Sequence, residues 1–91
     1  MIAWDEEKDR WLTRTRGISF SEIADKILKG DYLVILENPR RPEQDLFLIL
    51  IEGYVWIVPF VIDEEETIFL KAAYPSRKFH KIYGGKHEEE D

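Results

Sequence analysis

Apolar and polar positions along this chain follow a helical period, then a strand period, then a helical one again. Near the start, Trp4, Lys8, Trp11 and Leu12 fall at i, i+4, i+7 and i+8, which is helical spacing with one polar member. Asp5, Glu6 and Glu7 favour the first turn of a helix, where they meet the positive end of its dipole. The spacing predicts a helix from about Asp5 to Thr15, ended by Gly17. Ser19 followed by Glu22 is a capping box. Phe20, Ile23, Ala24, Ile27 and Leu28 then repeat at amphipathic spacing, and Gly30 stops this second helix.

The period then shortens. Tyr32 to Leu36 reads as a strand, and Asn38-Pro39-Arg40-Arg41-Pro42 as a loop. Leu46 to Ile51 and Tyr54 to Ile62 read as strands joined by a Glu52-Gly53 turn. Their near-continuous apolar character implies cover on both faces. Pro59 cannot donate to a ladder, so it marks an edge or a bulge. Asp63 to Glu66 is an acidic turn, and Thr67 to Ala73 the last strand. Pro75 and Ser76 open a short helix that ends at Gly84-Gly85. The expected class is α+β: two N-terminal helices, an antiparallel meander of about four strands and a short C-terminal helix. One domain over residues 1–85 is expected, followed by an acidic, disordered tail over 86–91.

Composition narrows this further. A chain of 91 residues that is 44% hydrophobic and 13% aromatic suits one packed globule. Each of its three tryptophans needs a partner for the indole N–H if buried. There is no cysteine, so disulfides and thiolate metal sites are excluded. Met1 to Glu7 has neither a basic nor an apolar region of a signal peptide, and the expected location is the cytoplasm. Leu46 to Ile62 is apolar, yet Glu52 and Pro59 oppose a membrane helix, which needs about 20 apolar residues.

The net charge of −6 argues against a general nucleic-acid binder. Its distribution matters more. Lys71, Arg77, Lys78, Lys81, Lys86, His80 and His87 occupy a stretch with no acid, ahead of the acidic Glu88 to Asp91. On a regular helix Arg77, His80 and Lys81 share one face, and Phe79, Ile82 and Tyr83 another. One face would dock and the other would present cations. Arginine grips a phosphate with paired hydrogen bonds, lysine adds a point charge, and histidine can donate a proton near neutrality. Lys71 lies in the last strand beside this segment. Cations on a solvated helix are also common without any function.

Other residues have simpler readings. Ser19 and Ser21 belong to a helix cap. Arg40 and Arg41 sit in a loop that could close over a ligand, though loop solubility explains them. Packing of the Lys8 stem against indoles explains that lysine. No phosphate loop, paired metal-binding histidines or cysteine nucleophile is present, so neither metal nor cofactor is expected.

Trp4-Asp5 with Lys8, Gly17-Ile18-Ser19-Phe20 at the second helix, a hairpin sheet, and Arg77-Lys78 with Tyr83 behind it resemble the BrnT family of bacterial toxins. The resemblance runs from Trp4 to Tyr83, and the order and spacing of the motifs carry it. It implies a RelE-type fold and a ribonuclease that blocks translation. It also implies an antitoxin partner that silences the toxin and carries the DNA-binding part. Arg77 then stands for the arginine of the family's C-terminal basic motif and Lys78 for the basic residue after it. Counted back from Tyr83, an alternative register puts Tyr74 at that arginine.

The resemblance and the basic segment together point to a metal-independent endoribonuclease toxin of a type II toxin–antitoxin system. Arg77, Lys78 and His80 are the candidate catalytic residues, with His80 as general acid. Lys71, Lys81 and Tyr83 are the candidate substrate contacts. The expected partners are a cognate antitoxin and RNA, ribosome-associated mRNA included, with no membrane. The alternative is a toxin-like protein-binding module without chemistry.

Overall fold

The structure, a computed structural model, describes residues 1–84. The proposed acidic tail therefore lies outside the described residues. The chain opens with a strand that periodicity did not anticipate, β1 (Ile2–Trp4). Trp4, which lies just before the expected helix, belongs to this strand. The switch is made by Asp5, whose carboxylate accepts from the N–H groups of Glu7 (2.8 Å) and Lys8 (3.2 Å). These are first-turn donors with no partner inside the helix.

Helix α1 (Glu6–Arg16) ends at Gly17, whose φ of 73° is the left-handed conformation that glycine adopts without cost. Helix α2 (Phe20–Leu28) starts at Ser19, whose Oγ accepts from the Glu22 N–H at 3.1 Å. The Asp9 carboxylate accepts from the Phe20 N–H at 2.7 Å and so ties the second helix to the first. Phe20, Ile23, Ala24 and Ile27 of α2 are buried as the spacing predicts. Leu28, expected on the same face, is exposed at the end of the helix.

The sheet contains β2 (Val34–Glu37), β3 (Asp45–Ile51), β4 (Tyr54–Ile62), β5 (Ile68–Leu70) and β6 (Tyr74–Pro75). The strand order is β1-β5-β4-β3-β2, and β6 pairs with β4. The sheet is mixed, because β1 runs parallel to β5 while the other pairs are antiparallel. This corrects the expected four-strand antiparallel meander. β1 and β6 have three and two residues, too few for an alternation to register in the sequence.

The β3–β4 hairpin turns on Glu52 (φ 51°) and Gly53 (φ 80°), the paired positive values of a two-residue turn that matches strand twist. Both of its strands are covered on two sides. Phe47, Ile49, Ile51, Val58 and Phe60 pack with Leu12, Phe20, Ile23 and Ile27 of the helices. Leu46, Leu48, Val55 and Ile57 face the other way and pack with Leu36, Leu50, Phe79 and Tyr83. The molecule is therefore three layers: two helices, the sheet, and a thin cover from the C-terminal segment.

Pro59 interrupts the ladder only on the side of β4 that faces β5 and β6, and pairing with β3 runs through it unbroken. The N–H of Lys71 donates to its carbonyl at 2.8 Å, but proline has no N–H to return to Lys71. Beyond that point the pairing slips. Phe60 faces Leu70 and Ile57 faces Tyr74, so Lys71, Ala72 and Ala73 stand opposite only Pro59 and Val58. This is a one-residue bulge. Of the strand expected from Thr67 to Ala73 only β5 (Ile68–Leu70) forms, and after the bulge Tyr74 and Pro75, the latter expected to open the helix, make the separate strand β6. Among the described residues no helix is long and apolar enough to cross a membrane.

Trp4 stacks on Phe20 with ring centroids 6.2 Å apart, and its buried indole N–H has no hydrogen-bond partner. The expectation that each buried indole finds an acceptor fails at this residue: stacking holds the ring.

Candidate functional site

The C-terminal segment begins with one turn of helix, α3 (Arg77–Phe79), capped by Ser76, whose Oγ accepts from the Phe79 N–H at 3.2 Å. It continues as a wider π-helical turn, His80–Gly84. The wider turn breaks the i, i+3, i+4 reading of its faces. Arg77, Lys78 and Lys81 are exposed, as expected of cations. Lys78 Nζ lies 5.4 Å from the centre of the Phe79 ring.

His80 does not face outward with Arg77 and Lys81. Its ring lies against Tyr54 with centroids 4.2 Å apart and planes 14° from parallel. Its Nδ1 accepts from the Val55 N–H at 3.3 Å. These two contacts fasten the C-terminal turn to β4 and the hairpin. Ile82, expected to dock, is exposed, while Phe79 and Tyr83 do dock against the sheet. Tyr83 is half-buried beside Phe79, with ring centroids 6.1 Å apart.

Lys71 sits elsewhere. It lies on the bulge, where two adjoining clefts of about 310 and 370 Å³ meet, and Lys8, Lys71, Ala72 and Tyr74 line both. Trp11 and Arg16 of α1 extend the groove in one direction, and Asn38, Arg41 and Gln44 of the β2–β3 loop in the other. The carbonyl of Lys71, left without the N–H that Pro59 lacks, accepts from Lys8 Nζ at 3.3 Å. The bulge, the proline and helix α1 are thus joined at the centre of the groove.

Two properties set this groove apart. Among the described residues its lining holds four basic residues, Lys8, Arg16, Arg41 and Lys71, and no carboxylate, with the Lys71 ammonium lying 5.2 Å from the centre of the Phe69 ring. Among the described residues the ion pairs are Lys26–Asp31 and Lys29–Asp25, so the groove cations are unpaired there. On a body of net charge −6 this is a local positive field. The groove also exposes aromatic surface. Trp11 is 51% and Tyr74 38% exposed, and the Arg16 guanidinium lies 5.7 Å from the Trp11 ring centre. Cations that track a backbone, with rings on which bases can stack, suit a single-stranded nucleic acid. The amides of Asn38 and Gln44 add donors and acceptors for base edges.

The structure therefore divides the expected site. It groups Lys71 with Lys8 and Trp11, which sequence reasoning gave to packing, with Arg41, which it gave to loop solubility, with Tyr74 of the alternative register, and with Arg16. It leaves Arg77, Lys78 and Lys81 on the C-terminal turn. The two sets are linked through β6. Two residues, Pro75 and Ser76, separate Tyr74 from Arg77, so the two lie at most about 11 Å apart along the chain. One signal for the groove was present in the sequence: Lys8, Trp11 and Arg16 all lie on α1. The tryptophan was assigned to the buried face because spacing does not distinguish a docked ring from a displayed one.

No protein-family model, curated protein or solved structure matches this chain.

Proposed function

We propose that this chain is a BrnT-like, RelE-type toxin of a type II toxin–antitoxin pair. In this reading it is a metal-independent endoribonuclease that acts in the cytoplasm, with its RNA strand lying in the groove centred on Lys8 and Lys71. The observation that carries this reading is the acid-free, aromatic-lined groove on an otherwise acidic protein. A strand seated there would place phosphates on Lys8, Lys71 and Arg41 and bases on Trp11 and Tyr74. Its continuation past β6 would reach Arg77 and Lys78. The RNA's 2′-hydroxyl loses its proton to solvent and attacks the adjacent phosphate, the bond from phosphorus to the 5′-oxygen of the next nucleotide breaks, and that oxygen takes a proton from solvent, leaving a 2′,3′-cyclic phosphate and a 5′-hydroxyl. The protein's part is alignment of the strand and neutralisation of charge on the reacting phosphate by Arg77, aided by Lys78 or Lys81. An antitoxin would silence the toxin by covering this route.

A second reading has one observation in its favour. His80 is engaged by Val55 and Tyr54, which leaves the C-terminal cations without an evident proton donor. That arrangement fits a toxin-like binding module without chemistry.

Induced expression in bacteria tests the first reading, with growth and total RNA followed for the wild type, Arg77→Ala and Lys71→Ala. Growth arrest with fragmented RNA is expected for the wild type, and neither effect for the variants. A wild-type chain that neither slows growth nor cuts RNA, indistinguishable from Arg77→Ala, removes the ribonuclease. RNA binding without cleavage then selects the second reading.

A further inference from the structure

The helix layer does not cover the whole face of the sheet beneath it. Beyond the end of α2 an apolar trough of about 430 Å³ crosses every strand of the main path. Ile2 of β1, Ile68 of β5, Ile62 of β4, Phe47 of β3 and Ile35 of β2 form its floor. Met1, Leu28, Ile35 and Ile62, which line it, are 91%, 73%, 44% and 59% exposed. Among the described residues these are four of the seven large apolar side chains left in solvent, and Trp11 and Tyr74 of the basic groove are two more. Exposed apolar residues gathered in this way mark an interaction surface more often than scattered ones do.

One end of the trough is charged. Glu37 and Asp45 are direct partners across the antiparallel β2–β3 pair, and so are Ile35 and Phe47 two residues on. By strand alternation both carboxylates lie on the same face as Ile35 and Phe47. Asp45 lines the trough itself. Like charges placed directly opposite each other are unfavourable in a sheet. Among the described residues no cation forms an ion pair with either.

From this geometry we infer that the trough is the docking site for an amphipathic helix of another protein, apolar on one side and basic at one end. The helix lies beside α2 as a third member of its layer, with its basic end on Glu37 and Asp45. Five strands at a spacing of about 4.8 Å span about 19 Å, which about 13 residues of helix would cover. Residues 85–91 do not suit the site. They read Gly-Lys-His-Glu-Glu-Glu-Asp, with no large apolar side chain and four acids. A second copy of this chain suits it no better. Among the described residues no lysine or arginine lines the trough, so two copies joined there would add carboxylates and supply no counter-charge. The inference holds whether or not the basic groove takes RNA.

The test uses the full chain and two synthetic helical peptides of about 13 residues with the same leucine stripe. One peptide ends in lysines and the other in glutamates. Binding is read by fluorescence anisotropy and located by isoleucine methyl shifts. The lysine peptide is expected to bind at least about tenfold more tightly than the glutamate peptide, the scale on which charge complementarity selects partners. It is expected to shift Ile35 and Ile62. Ile62→Asp, checked as folded by circular dichroism, should abolish binding of both peptides. Glu37→Gln with Asp45→Asn should remove the difference between them. Equal binding of the two peptides by the wild type would overturn the inference. So would shifts confined to residues outside the trough, or self-association of the chain that Ile62→Asp abolishes.

Discussion

The ammonium of Lys8 donates to the carbonyl of Lys71 at 3.3 Å, in the position where any residue but proline at 59 would place its own N–H. A missing backbone donor in β4 is thereby coupled to a bulge and to a cation of helix α1. Replacing the proline should undo that coupling. In Pro59→Val the restored N–H competes with Lys8 for the Lys71 carbonyl and pulls the bulge toward regular pairing. Hydrogen exchange should show a protected amide at position 59, and affinity for single-stranded RNA should fall as the groove narrows. An unprotected amide there would mean that the bulge does not depend on the proline.

A second prediction concerns the C-terminal turn. A Cβ on Gly84 would lie 2.4 Å from His80 Nδ1, closer than real contacts allow. His80 is fastened by Val55 and Tyr54, so it has little room to yield. Gly84→Ala should cost about 1–3 kcal/mol, the usual scale of overpacking. In a His80→Ala background most of that penalty should vanish, because the pair couples directly. Urea denaturation of the four proteins in the cycle checks this, and additive effects would argue against the contact.

The third prediction follows from the covered sheet. Leu48 and Ile49 are adjacent, both wholly buried, and face opposite layers. Leu48→Ala and Ile49→Ala should each destabilise the fold by about 2–5 kcal/mol. If the C-terminal cover were loosely attached, Leu48→Ala would cost far less than Ile49→Ala. Equilibrium unfolding of the two variants separates these cases.

Trp11 supplies the fourth. At 51% exposure it contributes little to the core, so Trp11→Ala should leave stability within about 0.5 kcal/mol of wild type. If bases stack on it, RNA binding should weaken by about 1–3 kcal/mol. A variant that unfolds more easily but binds RNA normally would return Trp11 to a packing role.

These residues also show where sequence reading succeeded and where it stopped. Local rules were sufficient for Gly17, the Ser19 cap, α2 and the Glu52-Gly53 hairpin, because each depends on neighbours within a few residues. Two-sided cover of β3 and β4 was legible because uninterrupted apolar runs leave no face for water. Pro59 announced a bulge but not its consequence, since the Lys71 carbonyl meets Lys8 across 63 positions of sequence. β1 escaped detection because its pairing with β5 joins the two ends of the domain. The C-terminal turn misled for a different reason. Its widened π-helical geometry turned His80 inward and Ile82 outward, and regular helical spacing does not anticipate that. The basic groove draws on α1, the β2–β3 loop and the bulge at once, so no single stretch of sequence displayed it.

The most direct measurement is the salt dependence of binding to a labelled single-stranded RNA, by anisotropy, for the wild type, Lys71→Ala and Arg41→Ala. Removing a cation that neutralises one phosphate should reduce the slope of log affinity against log salt by about 0.7. Binding by the wild type at low salt, with both variants weaker and shallower in slope, is the expected result. No binding at low salt, or variants whose affinity and slope equal those of the wild type, would contradict a groove that holds RNA.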